Sequence, residues 1–177
     1  MEEKRNFLKE LDLSPENENV VADIQNLRKQ GLKFDDVNED GDNLLMLAIK
    51  NENVAAFNEI LKYDQNLDIQ NDWNRTPLHR AALVNNTYMV SELLKRKANP
   101  NIQDKDGMLA VMFATINDNM TMVVSFQSVG ADLSIKDYVL KLTTLEWASK
   151  LKSKKALFAL RNPQIALRTI QKNAGRC

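Results

Sequence analysis

Asn71-Asp72-Trp73-Asn74-Arg75-Thr76-Pro77-Leu78-His79-Arg80-Ala81-Ala82 is the stretch on which the fold turns. Thr76 is a strong helix N-cap, because its hydroxyl can accept from a backbone N–H left free in the first turn. Pro77 falls at the first helical position, where a missing N–H is harmless. His79, three residues after the cap, can reach back toward it as a capping-box residue does. The helix should run to about Val84, after which Asn85 and Asn86 tolerate the left-handed backbone that ends it. A second helix follows with Met89, Val90, Leu93 and Leu94 at helical spacing, and Asn99-Pro100-Asn101 breaks it.

The stretch repeats at a spacing of 33 residues. Ala48, Ala81 and Ala114 form one column, Asn53, Asn86 and Asn119 another, Leu45, Leu78 and Val111 a third, and Phe57, Val90 and Val123 a fourth. Four chemically matched columns make the chain an array of repeated units, each with an apolar face that only its neighbours can bury.

These residues resemble the ankyrin repeat, whose signature is a turn with Asp and Gly, then Thr-Pro-Leu-His-x-Ala, a short helix and a second helix bearing Val-x-x-Leu-Leu. Residues 76–82 match its core, and Val90, Leu93 and Leu94 its second helix. Asn43-Leu44-Leu45-Met46-Leu47-Ala48 and Leu109-Ala110-Val111-Met112-Phe113-Ala114 keep the apolar columns but lose the Thr-Pro cap. Thr143-Thr144-Leu145-Glu146-Trp147-Ala148 starts a further unit one residue out of register, which implies a longer loop tip. The resemblance implies an all-α solenoid of four or five stacked helix pairs with short loop fingers. Its expected divisions are a divergent N-terminal capping repeat over 1–34, central repeats over 35–67, 68–100 and 101–133, a degenerate repeat over 134–161, and a C-terminal capping helix and tail over 162–177. Residues 2–12 should form a helix, and Ser14-Pro15 should start another ending at Gly31. After Asn162-Pro163 a last helix should pack through Ile165, Leu167 and Ile170.

The 177 residues are 44% hydrophobic and 27% charged, ordinary for one soluble domain with a real core. No apolar run suggests a signal peptide or a spanning helix, so a cytoplasmic protein is expected. The single cysteine, Cys177, excludes an intrachain disulfide and reads as a tail residue. Residues 1–72 carry 17 acidic and 8 basic side chains, a net of −9, and residues 73–177 carry 7 acidic and 16 basic, a net of +9. An array ordered in space as in sequence therefore has an acidic and a basic end, which can orient a charged partner.

Chemistry finds little foothold. His79 is the only histidine, and its column holds Met46 and Met112, neither able to transfer a proton or replace a ligand. A structural role in the repeat is expected for it. There is no Cys/His cluster for zinc, the five glycines are scattered, and no carboxylate pair stands out. No catalysis, cofactor, metal or small-molecule substrate is expected. The expected function is non-catalytic binding of a partner protein, by a monomer, on the concave face formed by the loop tips and inner helices. By register the tips carry Glu39, Asp40 and Asp42, then Asp72, Trp73 and Arg75, then Lys105, Asp106 and Met108, then Tyr138 and Lys141. Asp40, Asp42, Asp72, Trp73, Arg75, Lys105, Met108 and Tyr138 are the candidate contacts. Trp73 weighs most, since Trp and Arg are enriched in interface hot spots; the alternative is that it folds over the neighbouring tip. Trp147 is expected in the core. The competing reading is binding of a nucleic acid or acidic membrane by the basic C-terminal end, against which stands the lack of interleaved aromatics. Twenty of 177 residues are Asn. That bias, also found in small ankyrin proteins of intracellular bacteria and protozoa, adds an effector delivered into a host cell as a second role.

Overall fold

The helix pairs stack in register, as the columns require. The structure, a computed structural model, describes Leu8 and residues 11–63 and 66–174. The helix expected over 2–12 and the tail at Cys177 fall largely or wholly outside that range. Ten helices run through the described residues: α1 (Val20–Lys29), α2 (Leu44–Lys50), α3 (Val54–Ile60), α4 (Pro77–Leu83), α5 (Thr87–Lys95), α6 (Ala110–Ile116), α7 (Met120–Ser128), α8 (Thr144–Leu151), α9 (Lys154–Arg161) and α10 (Pro163–Ala174). The inner helices α2, α4, α6 and α8 pack on one another in sequence, and each packs on its own outer helix, α3, α5, α7 or α9. Helix α1 covers α3, while α10 closes the far end against α7 and α9.

Core burial follows the columns. Ala48, Ala81 and Ala114 are fully buried, and so are Phe57, Val90 and Val123. Small side chains in the first column let successive inner helices approach. Met46 and Met112 are also fully buried, which makes them packing residues.

One turn recurs in each of the four helix pairs. Between inner and outer helix a single residue takes the left-handed conformation: Glu52, Asn85, Asp118 and Lys152 have φ of 53°, 57°, 50° and 57°. The next residue caps the outer helix, and the Asn column earns its identity there. The side chains of Asn53, Asn86 and Asn119 accept from the N–H of Ala56, Met89 and Met122 at 2.8, 3.1 and 3.0 Å. The inner helix of the second unit has the expected capping box, with Thr76 and His79 reciprocally bonded. Asn43 caps α2 through Met46 N–H, whereas Leu109 gives α6 no side-chain cap.

Two expectations at the ends need correction. Helix α1 starts at Val20, not at Ser14-Pro15. Asp12 accepts from Ser14 N–H and Asn17 from Asn19 N–H, local bonds that hold residues 12–19 in turns. In α10 it is Ala166, Leu167 and Ile170 that face the stack; Ile165 is 54% exposed.

Candidate functional site on the concave finger face

Each finger is built around one side chain. Asn38 accepts from the N–H of Asp40 and Asp42, Asn71 from Trp73 and Arg75, and Asp104 from Asp106 and Met108. Asp137 accepts from Val139, Leu140 and Leu142. Asn38, Asn71, Asp104 and Asp137 are themselves spaced by 33, a column the sequence reading passed over although its signal was the same as that of the others. The fourth finger is one residue longer, as the register predicts, and Asp137 serves the additional N–H. Burial, the largest influence on Asp137, pushes its carboxyl up. The backbone donors and Trp147 Nε1, at 3.1 Å, outweigh it and hold the group below the usual carboxylate range.

The fingers are tied edge to edge by backbone bonds. Asp72 N–H donates to Asp40 C=O at 3.2 Å, Lys105 N–H to Trp73 C=O at 3.0 Å and Tyr138 N–H to Asp106 C=O at 2.8 Å. This close approach is why Gly107, at φ 76°, stands at the third tip: a Cβ there would lie 2.5 Å from Tyr138 N.

Side chains tie the finger bases to the helices. Asp42 is fully buried; Arg80 Nη2 spans its two oxygens at 2.8 and 2.6 Å, and Asn71 Nδ2 donates to it at 2.6 Å. Asp42 is therefore a structural link between the first finger, the second finger and α4, and the expectation that it contacts a partner is withdrawn. Met108 is not an outward-facing tip residue: it is 7% exposed beneath the third finger, where what remains open of it lines a pocket. Its carbonyl accepts from His79 Nε2 at 3.1 Å, while Thr76 N–H donates to His79 Nδ1 at 3.2 Å. That pair of bonds assigns the neutral tautomer with its proton on Nε2. Burial pushes the His79 pKa down, consistent with a ring held neutral.

The remaining candidates lie on the surface. Asp40, Asp72, Lys105 and Tyr138 are exposed, and Trp73 is 55% exposed. The indole of Trp73 is nonetheless not isolated: Lys105 Nζ lies 5.9 Å and the Arg75 guanidinium 6.0 Å from its ring centre. Trp73 thus lies against the next tip and still offers a large open face. Arg75 pairs with Asp104 at 3.1 Å and lies 5.5 Å from the centre of the Phe113 ring, so it bridges the second tip to the inner-helix surface.

Beyond Arg75 lies a feature the sequence reading missed, a pocket of about 400 Å³ between the third and fourth fingers. Met108, Phe113, Val139, Leu140 and Trp147 make it largely apolar, and Arg75, Asp106 and Asp137 complete its lining. Trp147 was expected in the core. It packs against the core with one side and lines the pocket with the other. The available signal was Val139-Leu140, two adjacent apolar residues at a tip where the other fingers carry Asp40-Gly41, Trp73-Asn74 and Asp106-Gly107; they are 68% and 44% exposed.

The family model for ankyrin repeats, built on three copies, matches residues 16–104 and again residues 45–137. The chain belongs to the ankyrin-repeat family. Over 110 residues it is 30% identical to the mouse (Mus musculus) B-cell lymphoma 3 protein homolog, covering 58% of this chain and 25% of that protein. A putative ankyrin repeat protein of fowlpox virus (strain NVSL) is 36% identical over 67 residues, 37% of this chain and 20% of the relative. The chicken (Gallus gallus) nuclear factor NF-kappa-B p105 subunit is 30% identical over 95 residues, 50% of this chain and 10% of the relative. The chain therefore aligns with a quarter or less of each relative's length. Ankyrin repeats are in general protein-interaction modules and not enzymes. Among the described residues no group of three or more His, Cys, Asp or Glu could hold a metal ion.

Proposed function

We propose that this ankyrin chain is a non-catalytic regulator that binds a partner protein on its concave finger face, with Trp73 as the central anchor. One observation carries the reading. The tip column that holds Trp73 holds Asp40 and Asp106 in the neighbouring fingers, so the fold asks for no indole there, yet the indole is 55% exposed. Arg75, Lys105 and Tyr138 surround or extend it, and Asp40 and Asp72 add exposed charge on its acidic side. Aromatic residues and Arg at such positions supply most of the energy in typical interfaces. The likeness to a nuclear-factor subunit supports a regulatory role over a catalytic one. An effector acting inside a host cell would use the same surface.

The test is to replace Trp73 and Arg75 together by alanine and to measure affinity for a partner identified by affinity purification and mass spectrometry. We expect affinity to fall at least ~30-fold, the loss of about 2 kcal/mol typical of a hot spot. Undiminished affinity with an unchanged circular dichroism spectrum would remove this face from the account.

A further inference from the structure

The far end of the stack carries charge of one sign. Between Trp147 and Ala174 there are seven basic residues and no carboxylate: Lys150 and Lys152 about the end of α8, Lys154, Lys155 and Arg161 on α9, and Arg168 and Lys172 on α10. All seven are exposed, and among the described residues none forms an ion pair. The helices packed against α9 and α10 do little to offset them. Helices α6 and α7 have no charged side chain, and α8 has Glu146, which stands near Lys136 and closes a capping box on Thr143. Asp118 accepts from Ala156 N–H at 2.9 Å at the start of α9. Over all of residues 118–174, nine basic and four acidic side chains leave a net of +5. Apolar side chains stand exposed among these cations. Phe158 lies one turn from Lys154 and from Arg161 on α9, Ile165 one turn from Arg168 on α10, and Leu151 between Lys150 and Lys152. The opposite faces of α9 and α10 are turned to the stack through Ala156, Ala159 and Ala166, all fully buried.

We infer that α9, α10 and the turn between α8 and α9 form a docking surface for an acidic membrane. The cations lie over anionic headgroups, while Leu151, Phe158 and Ile165 enter the boundary with the acyl chains. The apolar residues decide the class of partner. A nucleic-acid backbone offers aliphatic side chains nothing, and base stacking asks for aromatic side chains, of which this surface exposes Phe158 alone. No helix among the described residues is long and apolar enough to cross a membrane, so the contact is made at the bilayer surface. This surface shares no residue with the concave finger face, so a protein partner and a bilayer can be held at once.

Sedimentation of the full chain with phosphatidylcholine vesicles, with and without phosphatidylserine, tests it. The chain should bind the vesicles that contain phosphatidylserine, ignore those that do not, and bind less as salt is raised. Each basic residue near an anionic surface strengthens binding about fivefold, so K155Q/R161Q should weaken it at least ~10-fold. F158S/I165S keeps every charge and should still weaken binding at least ~5-fold, through the apolar area it removes from the membrane. The replaced side chains are exposed, so both variants should keep their fold, checked by thermal melt; R168Q/K172Q gives a second charge pair on α10. W73A/R75A should bind vesicles as the wild type does. Three results overturn the inference: equal binding to both kinds of vesicle, binding untouched by the charge variants, or F158S/I165S as tight as wild type. Displacement of the chain from vesicles by duplex DNA at equal phosphate concentration overturns it too, in favour of a nucleic acid. Vesicle binding lost in W73A/R75A but kept in K155Q/R161Q would put the lipid on the fingers and remove the end surface.

Discussion

His79 shows how a residue with a chemical reputation is put to structural use. It is buried, its Nδ1 accepts from Thr76 N–H and its Nε2 proton goes to Met108 C=O, so one ring closes the cap of α4 and fastens the third finger to it. Replacing His79 with leucine should cost about 2–6 kcal/mol, because two buried backbone groups lose their partners at about 1–3 kcal/mol each. Thr76→Ala should cost about 1 kcal/mol, as an N-cap loss does. Urea unfolding of both variants measures this. The pH dependence has a defined sign. The folded state holds the His79 pKa below its ordinary value of 6.5, so the unfolded chain binds the proton first. The contribution of His79 is therefore complete above pH 6.5 and is lost as the pH falls from there toward its lower folded value. The slope between those limits should vanish in His79→Leu. Glycine gives a second residue-level contrast. Gly107 and Gly130 have nearly the same positive φ, 76° and 77°, but only at Gly107 would a Cβ strike backbone. Gly130→Ala should cost about 1–2 kcal/mol of conformational strain, and Gly107→Ala distinctly more.

The same distinction between local and packed positions explains what could be read from the elements. Inner and outer helices were legible because their apolar columns and caps recur, and Thr76-Pro77 fixed the register of the whole array. The finger scaffold carried the same period in Asn38, Asn71, Asp104 and Asp137, but Asn and Asp in loops look generically polar until their backbone partners are seen. Asp42 and Met108 misled for the converse reason. Position at a tip gives exposure only when the side chain points outward. These two are buried, Asp42 against Arg80 and Met108 in the wall of the pocket that Phe113 also lines. The pocket itself was illegible because it joins residues 75, 113, 139 and 147, which come from two fingers and two helices. At this scale the structure predicts that Asp137→Asn will loosen the fourth finger. An amide accepts through its oxygen only, so two of the four donors lose their acceptor: Leu142 N–H and Trp147 Nε1–H if the oxygen takes the place of Oδ1, Val139 and Leu140 N–H if it takes that of Oδ2. The expected readout is faster amide exchange at residues 139–142 with little change in the second unit.

Over the whole molecule, charge is graded along the stack, and the repeat architecture predicts that stability is graded too. Each central repeat packs chiefly on its neighbours, so protection from exchange should peak in α4 to α6 and decline toward α10, in keeping with a one-dimensional array. Charge runs from a net −9 over residues 1–72 to +9 over the remainder, and the proposed contact face spans the crossover at Trp73. A partner with one acidic segment would be steered to the basic end. The central claim is that the partner lies on the fingers and not on the outer helices. Hydroxyl-radical footprinting of the complex tests this most directly, since the chain has reactive aromatic side chains exposed on both sides. The account predicts strong protection of Trp73 and Tyr138 on the fingers and none of Tyr88 on α5 or Phe158 on α9, which are 45% and 41% exposed on the outer helices. Protection of Tyr88 and Phe158 with Trp73 left as reactive as in the free chain would contradict it.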